Sequence, residues 1–218
     1  MEPEQLLAKK AAARPSVTRT IRIDEEVDQA LGRLSDRQRV SVNQLVNSAL
    51  RRYTEWELLA DMIGMIDIHD KTVGKLFEGI SEDKAREIGC DTGLNAWTEM
   101  VAFMFKTVNY SSILKMLELR ARYGHWFIFE RTRQKDMDVL ILKHSQGKKV
   151  TAFFAEAMKC LLGRVGMRFE IDESEDQILV KIHPEEKSTR LEPWPIVGGG
   201  SRTNSGRINY MSEQKKSG

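Results

Sequence analysis

The stretch Val17-Thr18-Arg19-Thr20-Ile21-Arg22-Ile23-Asp24 decides how the rest of the chain is read. Apolar Val17, Ile21 and Ile23 alternate with polar Thr18, Thr20 and Arg22, the two-residue period of a strand with one buried face. No sequence neighbour offers itself as a pairing partner, and a lone strand leaves its N–H and C=O groups unpaired. Something must complete it, and the same strand of a second subunit is the expected partner.

Asp24 reads as a helix N-cap, with Glu25 and Glu26 in the first turn where the helix dipole favours acids. Val27, Ala30, Leu31 and Leu34 then recur at spacings of three and four, and the polar stretch Ser35 to Arg39 closes this first helix. Ser41 is the expected N-cap of a second, carrying Leu45, Val46, Ala49, Leu50 and Tyr53, with Trp56, Leu58 and Leu59 extending the same face. A strand and two helices in about forty residues cannot bury a core alone. Dimerisation answers both the open strand edge and the missing core.

Residues 17–54 resemble a ribbon-helix-helix domain of the MetJ, Arc and CopG kind. The resemblance lies in the strand Thr20-Ile21-Arg22-Ile23-Asp24, the helix after it, and Val40-Ser41-Val42-Asn43-Gln44-Leu45-Val46 opening the second helix. It implies that two strands from two subunits pair antiparallel and enter the major groove of double-stranded DNA. Thr18, Thr20 and Arg22 would then meet base edges, while Val17, Ile21 and Ile23 pack on the helices. It also implies a phosphate held at the start of the second helix by Ser41, Val42 and Asn43, where free N–H groups point at the anion. Arg19 and Arg39 are added as phosphate contacts, and Arg37, Arg51 and Arg52 as sources of salt-sensitive affinity or a solvated face. Many members carry a glycine just before the second helix, where this chain has Arg39-Val40.

Beyond residue 59 the patterning predicts an α+β domain over 60–182. Met62 to Ile68 reads as a strand or as the continued second helix. Helices are expected at 70–79 with Val73, Leu76 and Phe77 inward, and after Ser81 with Ala85, Ile88 and Cys90 inward. Gly93 and Asn95 punctuate. Further helices follow through Trp97 to Phe105 and from Ser111 to Tyr123, with Gly124 as the stop. Trp126–Glu130 and Asp138–Lys143 read as one hairpin, Arg168–Ile171 and Gln177–Ile182 as another, with a helix over 147–165 between them. The whole chain resembles archaeal and bacterial regulators that join a ribbon-helix-helix unit to such a domain. Residues 1–16 form a basic arm or a dispensable terminus, and 183–218 a polar tail whose apolar island is Leu191–Val197.

Composition adds bounds. With 218 residues, 41% of them hydrophobic and 30% charged, and a net charge of +2, the sequence is that of a soluble globular protein, and bulk charge selects no partner. No run of about 18 apolar residues is present, so no membrane partner is expected, and the start of the chain lacks a cleavable apolar leader. The expectation is a cytoplasmic protein. Cys90 and Cys160 sit alone inside apolar helical patterns and read as buried free thiols rather than a disulfide or zinc ligands.

Chemistry-bearing patterns are sparse. His69, His125, His144 and His183 show no ligand spacing, so neither a metal nor a cofactor is expected, and His144 reads as a structural histidine or a pocket liner. Gly147-Lys148-Lys149-Val150-Thr151 lacks the upstream glycine of a phosphate loop. Trp126, Phe127, Phe129, Phe153, Phe154 and Met158 are core, or else surround a hydrophobic effector. The reading that emerges is a non-enzymatic, dimeric or higher-order DNA-binding regulator with a small-molecule or protein effector at its C-terminal domain. An antitoxin that neutralises a partner through that domain is the alternative.

Overall fold

The computed structural model describes residues 17–134 and 137–183. The expected arm at 1–16, Lys135 and Asp136 of the first hairpin turn, and the tail from 184 with its apolar island lie outside the described residues.

The chain folds as a mixture of helices and one antiparallel sheet, an α+β arrangement. Residues 17–24 form no strand in the single chain, contrary to the expected alternating strand, and Val17 and Ile21 stand 83% and 57% exposed. An edge with nothing to pair with has no ladder to join. Helix α1 (Glu25–Gln38) follows an extended Asp24 whose carboxylate makes no capping bond. Helix α2 (Val42–Arg52) is capped by Ser41, whose Oγ accepts the Gln44 N–H at 3.2 Å. Neither helix contains a buried residue, despite apolar Val27, Leu45, Val46 and Leu50. From α2 the helix passes through a π turn (Tyr53–Glu57) into α3 (Leu58–Met62). Of the two readings of residues 62–68, helix continuation holds as far as Met62 and the strand does not form. Residue 59, where the first domain was expected to end, falls inside α3.

Helix α4 (Asp70–Glu78) buries Val73 and leaves Leu76, expected inward, 61% exposed. Helix α5 (Glu82–Thr92) is capped by Ser81, whose Oγ accepts the Lys84 N–H at 3.1 Å. Gly93 and Asn95 do not interrupt it. A π turn (Gly93–Trp97) carries the helix on into α6 (Thr98–Phe105). Helix α7 (Tyr110–Leu119) opens with an Asn109–Ser112 capping box and ends in a third π turn (Arg120–Gly124). His125, with φ 51°, rather than Gly124 takes the left-handed position that stops it.

Strands β1 (Ile128–Gln134) and β2 (Met137–Lys143) form the first hairpin, longer toward its turn than the sequence suggested. Helix α8 (Lys148–Arg164) crosses to β3 (Arg168–Glu173) and β4 (Gln177–His183). The sheet order is β1-β2-β4-β3, with Leu140 opposite Val180 and Leu142 opposite Ile178. Ile178, Val180 and Ile182 alternate inward along β4 and pack with the buried face of α8, namely Val150, Phe153, Phe154, Ala157, Met158, Leu161 and Leu162. His183 closes β4 and so belongs to the sheet, not to the tail.

Helices α5 and α8 touch backbone to backbone. A Cβ on Gly89 would lie 2.3 Å from the Phe153 carbonyl oxygen, and one on Gly93 2.3 Å from that of Ala157. Gly93 is therefore a packing residue, not a breaker. The same approach overturns the free-thiol expectation: Cys90 and Cys160, 5.3 Å apart at Cα, are joined in a disulfide. No local pattern could announce that pair, because it depends on where two helices cross. Arg86 braces the crossing, reaching Glu82 on α5 and both carboxylate oxygens of Glu173 on β3 at 2.8 to 2.9 Å.

Candidate functional site

At the N-terminal unit, Thr18, Arg19, Thr20 and Arg22 are exposed, as are Val17, Ile21 and Ile23. Arg39 occupies the turn between α1 and α2 in the left-handed region, φ 55° and ψ 41°, and its N–H is bonded to the Ser35 carbonyl. That is the backbone conformation for which glycine is the usual residue, so this chain makes the turn with an arginine. The cap on Ser41 leaves the first-turn N–H groups of Val42 and Asn43 ahead of any intrahelical acceptor. Ser41, Val42, Asn43 and Arg39 thus lie together at one helix start. The structure of the single chain does not bring them onto a common surface with the 17–24 residues of a second copy.

The helical rod ending at Met62 is anchored to the α+β body at one place. Trp56 is buried, its ring 6.4 Å from that of Tyr123 and in contact range of Gly124. The Tyr123 hydroxyl donates to Glu55 at 2.8 Å. Tyr123 and Gly124 belong to the π turn that begins at Arg120.

Arg120 is the residue the sequence reading missed. It lines a cleft of about 720 Å³ whose wall is mostly apolar, with Met65, Phe77, Met100, Phe103 and Phe153 among its residues and Glu99 its one acid. The guanidinium lies between the Trp97 and Trp126 rings, 5.6 Å from each centroid, and one of its amino groups approaches the Met100 sulfur at 3.6 Å. No carboxylate pairs with it among the described residues. Its Nε–H and the Trp126 indole N–H are both closed off from water without a hydrogen-bond partner. Part of the side chain stays accessible, but its charged end is embedded deeply enough that burial lowers its pKa to about 10, so it remains cationic at neutral pH. The available signal was its position: three residues past Leu117 and seven past Ile113, it is a cation on the inward face of an apolar helix.

Of the expected aromatic lining, Phe127, Phe154 and Met158 are core, while Trp126 and Phe153 serve both core and cleft. Ile88, expected inward, is 37% exposed at the cleft.

His144 is structural. Its side chain is fully enclosed, its Nδ1 accepts the Gln146 N–H at 3.2 Å, and its Nε2 lies 3.0 Å from the Thr151 hydroxyl. Thr151 donates in turn to the Glu175 carbonyl, so Nε2 carries the proton and the ring is neutral. Burial pushes the imidazole pKa below its ordinary value, against an opposing pull from Asp176. The unfolded chain therefore binds the proton more readily than the folded one. Stability from this site is complete above about pH 6.5 and is lost as pH falls below it toward the depressed folded value. Urea denaturation from pH 7.5 to 5 is expected to show that loss, and H144Q is expected to flatten it.

His69 caps α4 through Nδ1, and His125 and His183 are exposed. Among the described residues no group of three His, Cys, Asp or Glu gathers as a metal site, and no helix is long and apolar enough to cross a membrane. Compared with protein-family models, curated proteins and solved structures, the chain matches none.

Proposed function

We propose that the chain is a sequence-specific DNA-binding regulator that acts as a homodimer, pairing residues 17–24 of two subunits into a ribbon for the major groove. The observation that carries this reading is the uncovered apolar surface of the N-terminal unit. Val17, Ile21, Val27 and Leu50 stand 83%, 57%, 48% and 55% exposed, and α1 and α2 bury no side chain of their own. Two short helices without a buried face are not stable in water, so the unit needs a partner, and a second copy supplies both a strand edge and a complementary face. With Val17, Ile21 and Ile23 turned toward that partner, the period of two turns Thr18, Thr20 and Arg22 outward. Arg22 then makes the directional contact, most simply to a guanine edge, worth about 1–3 kcal/mol of discrimination. Val42 and Asn43 N–H groups and Arg39 hold phosphate, and Ser41 keeps the helix start in place for them. The α+β domain is the sensing or oligomerising part. Support for coupling comes from the Arg120–Gly124 turn, which lines the cleft at one end and holds Glu55 and Trp56 at the other.

The test is selection of bound fragments from a random DNA pool by the purified chain, followed by binding isotherms. R22A is expected to lose sequence preference while remaining dimeric in sedimentation, and S41A to weaken all sequences alike. An unchanged isotherm for R22A on the selected site overturns the assignment.

A further inference from the structure

We infer that the cleft beside Arg120 binds an apolar monocarboxylate, with the carboxylate seated on the Arg120 guanidinium and the Trp126 indole N–H. The inference concerns other residues than the DNA-binding reading and stands without it. A cation embedded in a protein is normally balanced by a carboxylate, because removing it from water without a counter-charge is unfavourable. Arg120 has aromatic faces and a thioether instead. Those contacts offset part of the desolvation but satisfy none of the remaining N–H directions. Two donors, Arg120 Nε–H and Trp126 Nε1–H, are left without acceptors beside the same cleft. A carboxylate has two oxygens to offer them and a single charge to match the single cation.

The rest of the cleft determines the rest of the ligand. Its wall is built from Ile63, Ile66, Met65, Met100 and Phe103 together with the aromatic rings around Arg120, and Arg120 is its one cation. A dianionic head such as a phosphate monoester would carry a second negative charge with no cation to meet it, and Glu99 would oppose it. About 720 Å³ is ample for a medium-length acyl chain or an aryl body. Methionines supply a wall that adjusts to either.

The test uses the full chain with decanoate as the probe and decanol as its uncharged counterpart, read by isothermal titration calorimetry and by tryptophan fluorescence. The wild-type chain is expected to bind decanoate roughly tenfold or more tightly than decanol, the size of a charge-assisted hydrogen bond in a dry site. R120M is expected to take both probes equally, and R120K to keep the preference for the acid. Without ligand, R120M is expected to melt at the wild-type temperature or a few degrees above it, because an unbalanced buried charge has been removed. Equal affinity of the wild-type chain for the two probes, or binding of neither, overturns the inference. So does a ligand-free R120M that melts far below wild type, which would make the arginine a structural residue.

Discussion

Alanine at Gly89 is expected to lower the unfolding free energy by about 3 kcal/mol, at the upper end of what overpacking a core usually does. The added methyl would meet the Phe153 carbonyl oxygen at 2.3 Å, and that oxygen belongs to backbone inside α8, so it cannot swing aside as a side-chain tip would. The helices must separate instead. Ala85, fully buried one turn before, and Gly93, one turn after, form the rest of the contact, so the separation propagates along it. G89A should unfold at lower urea concentration than wild type and carry more titratable thiol, because Cys90 follows Gly89 directly. A G89A chain that stays fully oxidised and within about 0.5 kcal/mol of wild type would contradict the backbone contact.

Loss of the Cys90–Cys160 bond should have an effect of similar size by another route. The cysteines lie 70 residues apart, and a cross-link of that span removes enough freedom from the unfolded chain to stabilise the fold by about 4 kcal/mol. Urea denaturation in the presence of a phosphine reductant, or of C90S, is expected to show that loss. The native α5–α8 crossing should survive it, since its packing comes from glycine and alanine rather than from sulfur. Reduction is therefore expected to shift the denaturation midpoint while leaving the native circular dichroism spectrum unchanged. An identical midpoint with and without reductant would show that the bond contributes nothing to stability.

What could be read from the sequence divides along the range of the interaction. Ser41 and Ser81 were found as caps because a hydroxyl three residues ahead of an amide is a local signal. The inward face of α8 and the β3–β4 hairpin followed from period alone. Gly93 was misread because a glycine inside a helical pattern looks the same whether it ends the helix or admits another backbone. Only the position of α8 tells the two apart. The disulfide was missed for the same reason. Arg120 was passed over although its helical phase placed it inward, since apolar residues were being counted and a cation was not. Residues 17–24 are the opposite case. Their alternation is plain, yet the single chain forms no strand there, because the hydrogen bonds that would define one have no donor or acceptor within reach.

The π turn at Gly93–Trp97 also bears on how this cleft tolerates changes in chain length. An i→i+5 turn holds one residue more than the α-helical turn it replaces. Losing any one residue between 93 and 97 would leave an uninterrupted α-helix, so such a deletion need not break the rod. It would instead rotate everything downstream by about 100° relative to α5. Met100 and Val101, both buried in α6, would be carried off the core face, and Trp97 would no longer stand over Arg120. The cleft thus depends on the angular phase between two helical segments, set by a single surplus residue.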